Sequence, residues 1–99
     1  MKRLVIAEAA KADLAAIARY SEDRWGAARK RRYMEAIRRR IATLHRRPSL
    51  GRKREDIDRT CRSMIAGSHV LIYREFEDRI DLVRVLHQGM DLQARPIEG

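Results

Sequence analysis

The sequence predicts an α+β fold in which a helical hairpin packs on one face of a small, mainly antiparallel sheet, in the order β-α-α-β-β-β. The spacing of apolar residues supports this fold, because one short apolar run near the N-terminus is followed by two segments in which apolar residues recur with the period of a helix. Three further apolar runs of strand length follow in the last forty residues. Neither layer can bury its apolar side alone, so hairpin and sheet must cover each other. We expect a single domain over residues 1–99, since a chain of this length supports one core.

The first strand and the first helix are predicted from the N-terminal quarter of the chain. Residues 3–6 form a short apolar run, and from Glu8 onward the apolar residues recur with a helical period. Gly26 can take the left-handed conformation that ends a helix, so we place the turn of the hairpin at Trp25-Gly26. The stripe that faces the core consists of Ala10, Leu14, Ile17, Ala18 and Ser21.

The second helix is predicted from Ala27 to Leu44 or slightly beyond. Pro48 disfavours a helical residue before it, so the helix should stop near Arg46. Residues 49–59 are polar and charged, which is typical of an exposed loop. The apolar stripe of this helix consists of Tyr33, Ile37, Ile41 and Leu44.

Three strands are predicted at residues 62–66, 70–76 and 80–87, and their short connections allow only antiparallel neighbours. The third is rich in β-branched and aliphatic residues on both faces, which indicates an inner strand. Arg84 lies inside it, and a buried guanidinium needs a partner, for which Asp13 and Asp91 are candidates. We expect Gly89 to end the sheet, with one helical turn before Pro96.

The charge of the chain is concentrated in one block. Between Arg29 and Arg54 twelve basic residues face one acid, Glu35, which gives this block a charge of +11 within a net charge of +9. Such a block indicates binding to an acidic protein, to nucleic acid or to both. The alternative is a solvated helix face in an arginine-biased chain, since Arg outnumbers Lys 19 to 4.

The composition also bears on the cellular compartment in which the protein is expected. Cys61 is the only cysteine, so no intramolecular disulfide can form, and a small buried hydrophobe is the expected role. No apolar run approaches the ~18 residues that cross a bilayer, and the apolar part of the N-terminus is too short for a secretory signal. We therefore expect a cytoplasmic protein with no membrane association.

Several local patterns, in order, resemble the ParE-type toxins of the wider RelE/ParE fold. The resemblance spans about residues 5–91, nearly the whole chain. In the hairpin it includes Ala12-Asp13-Leu14 with Ile17, Tyr20-Ser21, Trp25-Gly26 and Tyr33. In the sheet it includes Pro48 with Gly51, Gly67-Ser68-His69, Tyr73-Arg74, Arg84-Val85-Leu86-His87 and Met90-Asp91.

The resemblance implies the toxin half of a type II toxin–antitoxin pair, inhibiting DNA gyrase while DNA is cleaved. It also implies a hetero-oligomer with a cognate ParD-like antitoxin, whose flexible tail should be acidic to match the basic block. The expected target-binding residues are Arg62, Tyr73, Arg74, Arg84 and His87. The expected antitoxin-binding residues, on the hairpin, are Leu14, Tyr20, Arg31, Arg32, Arg38 and Arg39.

A ribosome-dependent messenger RNA endonuclease of the RelE type is the first alternative. Arg62, Arg84 and His87 would then be catalytic, as cations for the phosphate and an acid or base. Against it, no aromatic residue follows Phe76, and the ribonuclease branches generally place a catalytic tyrosine or histidine pair after the last strand. We favour a non-enzymatic toxin, in which His87 is a strand-end histidine bonded to a backbone carbonyl.

A basic nucleic-acid-binding module is the second alternative, with the arginines of the second helix against phosphate. The chain has no recognisable helix-turn-helix and no exposed aromatic sheet motif. Tyr20, Trp25 and Tyr33 are expected to pack between hairpin and sheet, not to stack on bases. His45 has no partner at metal-ligand spacing, and no metal site or cofactor is predicted.

Overall fold

A computed structural model describes residues 1–89 and has the predicted α+β architecture. The two helices, joined by Gly26 alone, are followed by a short 3-10 helix and four strands. Gly26 has a φ of 86°, which permits the sharp reversal between the helices. The elements are β1 (Arg3–Ile6), α1 (Glu8–Trp25), α2 (Ala27–Arg46), the 3-10 helix (Pro48–Leu50), β2 (Arg52–Lys53), β3 (Cys61–Ala66), β4 (His69–Glu75) and β5 (Arg79–His87).

The five strands form one sheet in the order β1-β5-β4-β3-β2. The last four pair antiparallel, whereas β1 pairs parallel with β5, as the crossover through the hairpin requires. The prediction that β5 is an inner strand is confirmed, since it lies between β1 and β4.

The core lies between the hairpin and one face of the sheet, and the predicted stripes supply its helical side. Ile17 of α1 and Ile37, Ile41 and Leu44 of α2 are buried there, while Leu14 and Tyr33 are partly buried at its margin. The sheet contributes Met64, Ala66, Leu71, Tyr73, Ile80, Leu82 and Val85. Cys61 is buried as expected, and burial raises the pKa of its thiol to about 11, so it stays a neutral thiol.

The prediction of a loop at residues 49–59 is wrong in part, because this segment contains the end of the 3-10 helix and strand β2. The buried Tyr73 hydroxyl donates to the Pro48 carbonyl at 2.6 Å, and Arg62 donates to the Gly51 carbonyl at 2.9 Å. These bonds hold the segment against β3, so that Arg52 and Lys53 pair with Ser63 and Arg62. Strands β3, β4 and β5 each begin one residue earlier than predicted. Asp91, Met90 and the predicted final helical turn lie outside the described residues.

Strand β1 is much shorter than its neighbour. It pairs with β5 only from Arg79 to Leu82, after which the Ala7 N–H donates to the Leu82 carbonyl and α1 begins. Residues 83–87 of β5 therefore have β4 on one side and, among residues 1–89, no strand on the other. Helix α1 lies beside this unpaired part of β5, where its Asp13 accepts the Val85 N–H, and both elements line one groove.

Candidate functional site

A groove of about 450 Å³ lies between α1, the start of α2 and the free part of β5. We call it the aromatic groove. Its walls are mainly apolar, with few charged side chains, which suits an apolar partner surface. It is lined by Asp13, Ala16, Ile17, Tyr20, Ser21, Trp25, Tyr33, Ser68, His69, Arg84, Val85, Leu86 and His87.

Five rings form a continuous row along this groove. Tyr20, Trp25, Tyr33, His69 and His87 follow one another at centroid distances of 6.2, 6.1, 5.6 and 5.4 Å, each pair edge to face. Edge-to-face contacts of this length are favourable and restrict ring motion. The row ends in solvent at the α1 side, where 60% of Tyr20 and 39% of Trp25 are exposed. The protein thus presents rigid aromatic surface with little conformational entropy left to lose on binding.

The row is held to the sheet by the Tyr33 hydroxyl. The Ser68 N–H donates to this oxygen at 2.9 Å, and the oxygen lies 2.6 Å from His69 Nδ1. Since the backbone N–H can only donate, the hydroxyl proton is free to be donated to Nδ1, which places the proton of a neutral His69 on Nε2. Gly67 precedes Ser68 in the turn between β3 and β4. It has a φ of 61°, and a side chain there would meet the Tyr33 ring. The turn and the ring therefore fit together closely.

His69 and His87 lie opposite each other on β4 and β5. Burial lowers the pKa of His69, and charge on His87 lowers it further, while Asp13 acts in the opposite direction. His87 is exposed, and its Nδ1 accepts a hydrogen bond from the Gly89 N–H at 3.1 Å. The expected bond from His87 to a backbone carbonyl is not found among residues 1–89, where the Gly89 N–H is instead the partner of its Nδ1.

Arg84 and Asp13 form the polar side of the groove. The Arg84 Nε and Nη2 atoms donate to the two Asp13 oxygens at 2.8 and 2.9 Å. Asp13 also accepts the Val85 N–H at 2.9 Å, so one carboxylate covers part of the edge that β1 leaves open. Hydrogen bonding to Asp13 raises the pKa of Arg84 despite its partial burial. The predicted pairing of Arg84 with Asp13 is confirmed, and the paired guanidinium joins α1 to β5.

The arginines of the basic block lie on the exposed face of α2. Arg31, Arg32 and Arg39 line a shallow polar groove of about 470 Å³ with Ala28 and Glu35, and Arg38 pairs with Glu35 at 3.4 Å. One further cation reaches the aromatic row, because the Arg29 guanidinium stacks 4.8 Å from the Trp25 ring centre. The basic face and the aromatic groove therefore meet at the start of α2.

The residues predicted to bind the target lie in two separate places. Arg84 and His87 line the aromatic groove, whereas Arg62 and Arg74 lie two and one strands away in ion pairs with Glu75 and Asp58. Tyr73 has no exposed surface, so it cannot contact a target in this conformation. Burial raises the pKa of its phenol, which keeps it neutral as a hydrogen-bond donor.

The catalytic set of the nuclease alternative is not assembled either. Arg62 lies opposite Tyr73, whereas His87 lies opposite His69, four residues away along β4. Arg84 is already neutralised by Asp13. Across the part of the chain that the structure describes, no three His, Cys, Asp or Glu side chains converge on a possible metal position.

Two of the aromatic predictions are wrong. Tyr20 and Trp25 do not pack between hairpin and sheet, since they lie on the solvent side of the groove, while Tyr33 is partly buried. The wider contribution of Trp25, Ser68 and Ala16 to the groove was not predicted. Tyr20 lies outside the core stripe of α1, and this position is the sequence signal from which its exposure could have been predicted.

Comparison with known proteins gives matches over most of the chain. A family model described as the ParE toxin of the type II toxin–antitoxin system parDE matches residues 4–92. Toxin ParE1 of Caulobacter vibrioides is 36% identical over 94 residues, which span 95% of this chain and 97% of that protein. Toxin ParE1 of Mycobacterium tuberculosis is 38% identical over 91 residues, which span 91% of this chain and 93% of that protein.

The fold is also found in a solved structure, the chromosomal ParDE TA system from P. aeruginosa. The TM-score is 0.77 at 19% identity, over 88% of this chain and 96% of that chain. Within residues 1–89, neither helix is apolar enough over a sufficient length to span a bilayer. The family match over nearly the whole chain and the two close relatives lead to one conclusion: the chain belongs to the ParE toxin family of type II toxin–antitoxin systems.

Proposed function

We propose that this toxin inhibits DNA gyrase in the cytoplasm and is neutralised by a ParD-like antitoxin with an acidic tail. The observation that carries the proposal is the ParE family match over residues 4–92. The described side chains support inhibition by binding over hydrolysis, because Arg62, Arg84 and His87 do not converge on one phosphate position.

The aromatic groove supports the antitoxin part of the proposal. A small toxin with exposed Tyr20 and Trp25 gains stability when a partner covers them. An amphipathic antitoxin helix would place its apolar side in the groove, anchored by the ring row. Its acidic flank would then lie beside Arg31 and Arg32 on α2, which line the neighbouring polar groove. Leu14 lies at the margin of the core, so it supports the groove wall more than it contacts the partner.

The gyrase proposal is tested with purified, folded toxin and purified gyrase. We expect loss of supercoiling and accumulation of cleaved DNA at micromolar toxin, and recovery of supercoiling when antitoxin is added first. The antitoxin arm is the control, because it removes the toxin without changing gyrase. No effect of folded toxin on gyrase would contradict the target.

A parallel reaction with translating ribosomes separates the two toxin mechanisms. We expect the messenger RNA to remain intact, since Arg84 is already paired with Asp13 and His87 has no cation free beside it in the described groove. Site-specific cleavage that is lost in His87→Ala would instead assign the RelE-type activity to this chain.

A further inference from the structure

A row of arginines follows the outer side of α2. Arg32, Arg39 and Arg46 are each seven residues apart, almost two full helical turns, so they lie on one side of the helix over ~21 Å. All three are exposed, whereas Ile37 and Ile41 on the opposite side are buried in the core. We call these three arginines the arginine row. It forms a line of positive charge that takes no part in packing the fold.

The guanidinium groups of the arginine row have no hydrogen bond or ion pair to the protein within residues 1–89. Several arginines of the sheet, by contrast, are paired with acids. Glu35 lines the polar groove beside Arg32 and Arg39, but its carboxylate is paired with Arg38 at 3.4 Å. The positive charge of the row is therefore available to an anion outside the chain.

The outer side of α2 offers charge without apolar surface. Across residues 1–89, the large hydrophobic side chains that are exposed all lie outside α2, at Met1, Val5, Tyr20, Trp25, Leu50 and Ile65. A protein partner gains most of its affinity from buried apolar and aromatic contacts, which this side of the helix does not supply. A phosphate backbone, in contrast, is bound by cations alone.

Most of the row also lies away from the aromatic groove. The stacking of Arg29 on Trp25 places the end of that groove at the start of α2. Arg39 and Arg46 lie ~10 and ~21 Å farther along the helix than Arg32, because each residue adds about 1.5 Å. A partner seated in the aromatic groove therefore reaches the start of the row and leaves the rest of it uncovered.

We propose that the arginine row binds the phosphate backbone of duplex DNA, and that the toxin uses it on the DNA that gyrase holds. Duplex DNA carries one charge about every 1.7 Å along its axis, so a row of ~21 Å meets phosphates in any register. Arginine suits this role, since its planar guanidinium donates two parallel hydrogen bonds to a phosphate. The use on gyrase rests on the proposed function, whereas the binding of DNA does not.

Fluorescence anisotropy of a labelled duplex tests the binding without gyrase or antitoxin. We expect the toxin alone to bind a duplex of about 20 base pairs of arbitrary sequence, and to bind it more weakly as salt rises from about 50 to 200 mM. Each phosphate contact adds about 0.9 to the slope of log affinity against log salt. If the folded parent shows no saturable binding at about 50 mM salt, the proposal is overturned.

A triple variant with Gln at all three positions of the arginine row tests the location. Its Kd for the duplex should rise by about tenfold or more at low salt, and its salt slope should fall by about 2–3. The control replaces the exposed Arg3, Arg19 and Arg24 by Gln, which removes the same charge from β1 and α1. Its slope should change by less than about 1. Equal losses in two variants that circular dichroism shows to be folded would assign the binding to net charge and overturn the proposal.

Two competitors identify the anion that the row prefers. Unlabelled duplex DNA should displace the labelled duplex at a lower charge concentration than a polyglutamate peptide does, because carboxylates on a flexible peptide must be ordered to match the row. Equal displacement by polyglutamate would assign the row to acidic protein segments. Duplex RNA of the same sequence that binds about tenfold more tightly than the DNA would assign the row to RNA. Either result overturns the proposal.

The gyrase reaction separates this proposal from the proposed function. The triple variant should need about tenfold more toxin than the control variant to trap cleaved DNA, in proportion to its weaker duplex binding. Equal trapping by the two variants would show that the row does not hold DNA on gyrase, and the proposal fails while the target stands. If the parent binds duplex DNA through the row but has no effect on gyrase, the proposed target fails and the binding of DNA stands.

Discussion

Gly51 shows how one residue without a side chain fixes a segment that has no apolar pattern. Its backbone lies against the ring of Tyr73, and a Cβ added there would overlap the hydroxyl and come within 2.7 Å of Cζ. Tyr73 is fully buried and its hydroxyl is bonded to Pro48, so the ring cannot move aside. Close approach of backbone to ring therefore adds to the hydrogen bonds at Pro48 and Gly51 that hold the 3-10 helix and β2 on the sheet.

We expect Gly51→Ala to lower the free energy of unfolding by ~1–3 kcal/mol through overpacking. The measurement is urea denaturation followed by circular dichroism. Tyr73→Phe is the matched variant, since it removes the hydroxyl that the new methyl group would meet. In the Tyr73→Phe background, Gly51→Ala should cost less than it does in the parent. Equal costs in both backgrounds would show that the hydroxyl contact does not limit the site.

The aromatic residues show what a single-residue pattern cannot determine. Tyr20 and Trp25 were expected between hairpin and sheet, yet they are exposed. Whether a ring on α1 is covered depends on how far β1 extends below it, and β1 pairs only as far as Leu82. That length is set by contacts between residues far apart in sequence. The helical period places Ile17 in the core, but it carries no information about the vacated edge.

At the scale of elements, the buried stripes were predictable and the short edge strand was not. The period of 3.6 identified both helices, and short apolar runs bounded by turn residues identified β3, β4 and β5, because these elements bury one or both faces. Strand β2 consists of Arg52 and Lys53, both exposed, so it has no apolar signal. Its pairing comes from backbone bonds to β3 and from the Tyr73 contact nearby.

The connection between α1 and β5 depends on Asp13. We expect Asp13→Ala to destabilise the fold by ~1–3 kcal/mol, toward the lower value because Arg84 keeps contact with water. The loss has two sources, the unpaired Arg84 guanidinium and the Val85 N–H without its acceptor. Asp13→Asn retains an acceptor oxygen for Val85, so its loss should be smaller. Both are measured by urea denaturation.

Glu8→Ala is the surface control for that series. Glu8 pairs with Lys11 at 3.3 Å, but its side chain is 91% exposed, and such pairs contribute little. Its effect should stay within about 0.5 kcal/mol. If Asp13→Ala is no more destabilising than Glu8→Ala, the pairing with Arg84 has no structural role and Asp13 serves binding alone.

At the scale of the whole molecule, charge and apolar surface are separated but adjacent. The block from Arg29 to Arg54 carries +11, and its arginines lie along α2 and beside strand β3. The aromatic groove, by contrast, is mostly apolar. A partner that binds both the basic face and the aromatic groove is first attracted by the charge at long range and then makes apolar contacts in the groove. Charge of this kind acts mainly on the rate of encounter, while buried apolar contact acts on dissociation.

The basic face of α2 should therefore control how fast the antitoxin associates. Changing Arg31, Arg32, Arg38 and Arg39 together to Gln should slow association by about tenfold at low salt and flatten its salt dependence. The dissociation rate should change far less, because the aromatic groove is intact. Stopped-flow association across a salt series measures both rates. A control with the same change of net charge replaces the exposed Arg3, Arg19, Arg24 and Arg59 by Gln.

The control distinguishes an effect of the arginines on α2 from an effect of the net charge of the protein. If both four-residue variants associate equally slowly, overall charge explains the rate and the face of α2 has no special part. If the α2 variant associates as fast as the parent at low salt, with the same salt slope, its arginines form only a solvated face. Slower association and a flatter slope in the α2 variant alone would place the encounter on α2, beside the groove where the Trp25 ring and Arg29 meet.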